Sequence, residues 1–352
     1  MKNKTLQKTK VLALILSLVV VVLTGCASNT EAEDNIKQSS TQSTAQSNEK
    51  EQVTVRVGDQ TVWNVVYFQY GKEKGLLDKF FDNDKYDITF EISSFASGPA
   101  ENEAFAAGQL DFANMGDLPA TTGSASGYGY KAIGAISKSK SIGALVAAKD
   151  SGIKSIADLK DRKVGVVFGG GLHYFAGKCL ETVNLTYDDV DFINTGAETV
   201  TSLRAGQIEA AFITNEQAYQ LESEGTAVIV ADHIDGVIGI GEVCVSDDII
   251  NNYDGLATVL LKGFDKLYRY IGENSDDYLE FLSGLTGADT TSIKETWDKV
   301  EEYKVFSFDN QDIYSHANDL LEWIQEQELI ENKDVTVDDI IDKSVAKEAG
   351  IA

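Results

Sequence analysis

The chain reads as an α/β protein whose two similar lobes face one cleft. Three observations lead there. Short apolar, β-branched runs alternate with helix-length segments from about residue 52 to residue 246, the pattern of mostly parallel sheets covered by helices. Residues 97–119 hold one whole unit: Ser97-Gly98-Pro99 opens a helix closed at Gly108, a short strand follows over 110–113, and a new loop begins at Gly116-Asp117. A weaker copy lies downstream. Ala107-Gly108-Gln109-Leu110-Asp111-Phe112-Ala113 recurs as Ala205-Gly206-Gln207-Ile208-Glu209-Ala210-Ala211, which sets Asp117 opposite Asn215.

The elements follow in order. Val53, Val55 and Val57 alternate with polar residues, so 52–58 is a strand. A helix over 63–74 ends before Gly75, and Ile88, Phe90 and Ile92 mark a second strand. Beyond the 97–119 unit, strands are expected over 131–136 and 143–149, with a short capped helix over 155–159. The β-branched run 164–168 is a strand, followed by Gly169-Gly170-Gly171 and a helix over 173–182. Next come a strand over 191–194, a helix over 198–205 stopped by Gly206, and strands over 209–214, 228–231 and 238–245. From Asp247 on the pattern is helical, over 253–272, 275–285, 290–299 and 311–327. This end is expected to pack on one of the lobes.

The N-terminus reads as a leader outside the fold. Lys2, Lys4, Lys8 and Lys10 precede an apolar run over 11–23, too short for a membrane span. Residues 27–51 are rich in Ser, Thr, Gln, Asn and Glu without an aromatic, the composition of a disordered tether. The net charge is −26, and loss of residues 1–25 with their four Lys carries it to −30. Such a chain is repelled by nucleic acid and by anionic lipid surfaces. Three His lie far apart, and neither CxxC nor HExxH occurs, so no metal and no cofactor is expected. Cys179 and Cys244 are either buried thiols or, in an exported chain, a bridge.

Four loops follow strands and open helices: Ser97-Gly98-Pro99, Gly116-Asp117, Gly169 to His173, and Thr214-Asn215-Glu216. Each can turn unpaired backbone N–H groups toward a small polar head. The candidate ligand-binding residues are Trp63, Ser97, Gly98, Pro99, Gly116, Asp117, Gly170, Gly171, His173, Asn215 and Glu216. Plainer roles fit the same residues. The glycine run also makes a tight turn, His173 a helix start, Trp63 a core aromatic, Asp117 an N-cap, and Asn215 and Glu216 turn residues. Glu101 and Glu103 read as first-turn helix acids. Asp117, Glu101 and Glu216 bring negative charge to the cleft, which keeps a cationic or zwitterionic ligand open.

Taken together, the residues resemble the substrate-binding lipoproteins of ABC importers of the nitrate/sulfonate/taurine group. The likeness runs through Ser97-Gly98-Pro99, Glu103-Ala104, Ala107 to Asp111 and Gly116 to Pro119, then Lys149 to Lys160, and His173-Tyr174-Phe175. Leu23-Thr24-Gly25-Cys26 resembles a lipobox, which implies cleavage before Cys26 and lipidation of its sulfur. The resemblance implies a type II periplasmic-binding-protein fold. One lobe would comprise 52–144 plus 245–352 and the other 145–244, joined by two crossing strands. It implies a monomeric, lipid-anchored protein on the extracytoplasmic side of the cell membrane, with permease and ATPase partners and no turnover. The ligand would be a small organic anion such as a sulfonate or taurine. Nitrate, bicarbonate or a thiamine-precursor-like heterocycle is the alternative, and an enzyme on the same fold or a sensory lipoprotein a further one. Two departures touch the pocket: Thr214-Asn215-Glu216 stands where the group commonly has Trp-Asp-Pro, and Gly169 to Gly171 replace its hydroxyl residues.

Overall fold

A computed structural model of the protein describes residues 49–61, 65–287, 289–298, 300 and 302–352. The expected leader, Cys26 and Trp63 lie outside the described residues, as does nearly all of the tether. In chain order the strands are β1 (Glu51–Gln60), β2 (Tyr86–Phe95), β3 (Phe112–Gly116), β4 (Tyr130–Ser139), β5 (Ala144–Ala148), β6 (Lys163–Val166), β7 (Asp191–Asn194), β8 (Ala210–Ile213), β9 (Ala227–Ala231) and β10 (Gly239–Ser246). They form two five-stranded sheets, ordered β2-β1-β3-β10-β4 and β7-β6-β8-β5-β9.

Both sheets are mixed: in each, four strands run one way, in line with the expectation of mostly parallel sheets, and one opposes them. β1 runs parallel to β2 and β3, whereas β10 is antiparallel to β3 and β4. The second sheet repeats the plan: β6 is parallel to β7 and β8, and β5 is antiparallel to β8 and β9. The reason lies in the connections. β4 of the first sheet runs on into β5 of the second, and β9 of the second runs back into β10 of the first. Each sheet thus takes one strand arriving from the other, and that strand points the opposite way.

The sequence repeat has a physical basis. Arg56 Nε and Nη2 donate to the Asp111 carboxylate at 2.7 and 2.5 Å, and Asp111 also accepts the Arg56 N–H at 2.9 Å. In the second sheet Arg162 Nη1 donates to Glu209 at 2.5 Å, and Glu209 accepts the Lys163 N–H at 3.2 Å. Asp111 and Glu209 are matching residues of the repeat, and each ties the start of one parallel strand to its neighbour. Pairing with Arg56 holds Asp111 in the turn, so β3 begins at Phe112 rather than at residue 110.

Seven helices position the site: α1 (Tyr67–Glu73), α2 (Gly98–Ala106), α3 (Asp117–Ala125), α4 (Gly171–Glu181), α5 (Asn215–Ser223), α6 (Leu256–Glu273) and α7 (Gln311–Glu326). Along α6, Leu256, Leu260, Phe264, Leu267 and Ile271 form one buried face. Phe264 stacks on Phe68 at 5.9 Å and meets Phe112 edge-on at 5.7 Å, an aromatic core behind the first sheet. The helical end packs on that sheet as expected. It also reaches the second sheet's side, where the helix Thr290–Trp297 lies beside α5 and Trp323 of α7 lies against α4. Cys179 and Cys244 are free and buried in different clusters, and burial pushes the Cys179 thiol up to about 12. Among the described residues, no helix is long and apolar enough to cross a membrane.

Candidate functional site

A cavity of about 210 Å³ opens where both sheets present strand ends. From the first sheet's side come Gln60, Tyr67, Ser97 to Pro99, Asn114 to Asp117, Ser137 and Ser139. From the second come Val167 and Gly170 to Leu172; the crossing segment contributes Ser141 and Ile142, and the start of β10 adds Gly239 to Gly241. The walls stand close. A β-carbon at Gly169 would lie 3.6 Å from Pro99, and one at Gly171 would lie 3.8 Å from Asp117 Oδ1.

Three helices begin at this cavity; the starts of α2 and α4 carry no side-chain cap, whereas in α3 the Asp117 carboxylate takes the Leu118 N–H. Ser97, Gly116 and Gly170 occupy the N-cap positions of α2, α3 and α4, and none of them makes a side-chain capping bond. Pro99 fits the first turn of α2 because it has no N–H to satisfy. Such ends carry partial positive charge and favour an anionic head group. Helix α5 differs: Thr214 accepts the Gln217 N–H at 3.3 Å, and Gln217 caps back. Its end is satisfied internally, and neither Asn215 nor Glu216 lines the cavity. Asn215 stands one step behind, donating from Nδ2 to Ser141 Oγ at 2.9 Å, while Ser141 donates to the Asp232 carbonyl at 2.5 Å. Residues of both crossing segments are thereby joined beside the site.

Of the residues singled out in the sequence, Ser97, Gly98, Pro99, Gly116, Asp117, Gly170 and Gly171 come together as lining. His173 stands behind the glycine loop. Its Nδ1 accepts the Gly169 N–H at 3.3 Å, and its ring stacks on Phe168 at 4.9 Å. Burial pushes its pKa down to about 4, so the ring is neutral at physiological pH.

Asp117 is the one charged side chain among the described lining residues. It is buried; Oδ1 accepts the Leu118 N–H at 2.7 Å, and Oδ2 pairs with His316 Nε2 of α7 at 2.7 Å. Glu101 lies behind Gln60, whose Nε2 donates to Glu101 Oε2 at 2.5 Å. Burial drives the Glu101 carboxyl well above the ordinary carboxylate range, and Oε1 has no partner. It sits in the first turn of α2 as expected, but with no contact to solvent.

Sequence reasoning missed Gln60, Asn114, His316 and the serines 137, 139 and 141. The serines carried a signal, since alternate residues of a strand share a face and Ser137-Lys138-Ser139 repeats that period. His316 carried none, being brought to Asp117 by tertiary packing across 199 residues.

The start of α2 gives a test of how tightly this wall is built. A β-carbon at Gly98 would fall 2.4 Å from Pro119 Cγ, whereas one at Gly116 would lie 3.8 Å from the same ring. Gly98→Ala is expected to lower stability by about 1–3 kcal/mol through overpacking, and Gly116→Ala by much less. Denaturant unfolding of both variants checks the difference.

Comparison with known proteins adds the family. The model of the NMT1/THI5-like family matches residues 80–271. A protein of Bacillus subtilis (strain 168) whose name assigns it to aliphatic sulfonate binding is 24% identical over 339 residues, covering 96% of either chain. The alkanesulfonate-binding protein SsuA of Xanthomonas axonopodis pv. citri, solved bound to MOPS, superposes with a TM-score of 0.72 at 19% identity, over 82% of this chain and 97% of that one. The desulfurization enzyme DszB superposes with a TM-score of 0.61 at 14% identity, over 84% and 98%. The two α/β sheets are therefore those of the periplasmic-binding-protein fold.

Proposed function

This chain belongs to the NMT1/THI5-like family, and from that premise we propose that it is the extracytoplasmic solute-binding component of an ABC importer. It captures a small organic sulfonate between two lobes by hinge closure and turns nothing over. The observation that carries the reading is the cavity itself: both sheets feed it, and the N-termini of α2 and α4, without side-chain caps, begin at its walls. The names of the Bacillus and Xanthomonas proteins support the sulfonate class. The lobes are 52–144 with 245–352, and 145–244, hinged at the two crossing segments. The ligand is held by Ser97 to Pro99, Gly116, Asp117, Gly170 and Gly171, with Asn215 acting through Ser141. Cys26 carries the lipid anchor, and one copy of the chain serves a permease and an ATPase.

Asp117 sharpens the choice of ligand. The described lining holds no Lys or Arg, so a sulfonate rests on N–H groups and hydroxyls while the carboxylate faces another part of the molecule. That favours a ligand with a donor at its other end, such as an aminoalkanesulfonate. The same carboxylate favours an N–H-bearing heterocycle as the second reading.

Thermal unfolding of the full chain against taurine, alkanesulfonates, nitrate, bicarbonate and a thiamine-like pyrimidine tests this. A ligand at 100 times its Kd adds about 2.7 kcal/mol, and the expected responders are sulfonates, taurine foremost. Asp117→Asn is expected to weaken taurine binding about tenfold or more, the worth of a hydrogen bond to a charged group. A response only to the pyrimidine replaces the sulfonate reading with the second one, and silence from every compound overturns both.

A further inference from the structure

Helix α7 carries two residues that face the other elements of the cleft. His316 holds Asp117 Oδ2 at 2.7 Å on the cavity side. Two turns on, at the helical spacing that keeps residues on one face, stands Trp323, which is 3% exposed. Its indole meets Tyr174 edge-on at 5.2 Å and His173 edge-on at 5.8 Å, both on α4 of the second sheet's side, and Tyr187 at 6.4 Å. Tyr174 also meets His316 edge-on at 6.2 Å.

The seat depends on a missing side chain. A β-carbon at Gly177, in the middle of α4, would stand 3.0 Å from Trp323 Cζ2 and 3.0 Å from Tyr187 Oη. Glycine in a helix interior costs about 1 kcal/mol against alanine, and here it makes room for the indole. The N-terminus of α4 is the cavity wall that carries Gly171, opposite Asp117. A helix moves as a rigid body, so any parting of Gly171 from Asp117 draws α4 along α7 and disturbs the ring seated on Gly177.

We propose that Trp323 is a latch across the cleft: seated over Gly177 between Tyr174 and Tyr187, it holds the two lobes in the closed arrangement, and its helix also fixes Asp117 through His316. Opening exposes a large aromatic side chain and loses its ring contacts, so the latch biases the protein toward closure before a ligand arrives. The inference rests on the two-lobe reading above, but its readout needs no ligand and stands whether or not a sulfonate binds.

The test places spin labels at Gln109→Cys and Ala197→Cys, exposed positions on the first and second sheets' sides, in the full chain without ligand. Cys26 is replaced by Ser in every variant, and Cys179 and Cys244 are buried. Pulsed electron paramagnetic resonance is expected to give one short distance for the labelled parent and for Trp323→Phe, which keeps a ring in the seat. Trp323→Leu and Gly177→Ala are expected to shift the distribution outward and broaden it, with far-ultraviolet circular dichroism unchanged. Gly177→Ala retains the indole and adds one methyl, so it decides the matter if Trp323→Leu does not fold. Distributions that match the parent in the folded variants overturn the latch.

Discussion

Replacing Arg56 by Met is expected to cost about 3–5 kcal/mol of unfolding free energy, and replacing Arg162 by Met about 1 kcal/mol or less. The two acids are matching residues of the repeat, yet they differ in burial: the Asp111 side chain is 4% exposed and the Glu209 side chain 37%. Without the Arg56 guanidinium, the Asp111 carboxylate stays buried with the single N–H of residue 56 against its charge. Glu209 stays hydrated when Arg162 is lost. Paired denaturant titrations read the difference directly. Equal losses would mean that the repeat is held by its strands and that the ion pairs are incidental.

Asp59→Asn is expected to change how stability depends on pH, by up to several kcal/mol between pH 4 and pH 8. Asp59 lies at the end of β1, almost fully buried, and accepts the Phe68 and Gln69 N–H groups at 3.3 and 2.8 Å. Burial raises its pKa to about 7, against the lowering effect of those bonds. A carboxyl raised in the folded state binds its proton more tightly there than when unfolded. Its contribution is therefore full below pH 3.8, falls as the pH rises toward 7, and levels off above. His173 works in the opposite sense: its pKa drops to about 4 on folding, so its contribution is present above pH 6.5 and lost as the pH falls toward 4. The wild-type profile mixes both, so the reading is the difference between wild type and Asp59→Asn. Relative to wild type, the variant should gain stability as the pH rises from 4 to 7 and hold that gain to pH 8. A constant difference across that range would show that Asp59 stays ionised in the fold.

Where sequence reading succeeded, the physics was local. Alternating Val53, Val55 and Val57 gave β1 because a strand has period two, and the amphipathic pattern gave α6 and α7 because a helix has period 3.6. Ser97, Gly116 and Gly170 were legible as helix starts at strand ends. Asn215 and Glu216 were legible as a helix start too, and the Thr214-to-Gln217 spacing is that of a capping box, a local signal that this helix end is satisfied by its own side chains.

The sequence by itself determined the α/β class, the paired units around Asp111 and Glu209, the glycine-rich loops and the strong negative charge. Each of these is a property of neighbouring residues or of composition. Only the tertiary structure decided that the sheets are mixed, that His316 meets Asp117, that Glu101 is buried behind Gln60 and that Trp323 lies over Gly177. Those facts depend on which distant segments share space: strands exchanged between two sheets, and a C-terminal helix laid along both walls of the cleft. Contacts across a hundred or two hundred residues are set by the packing of the whole chain, which no local period records.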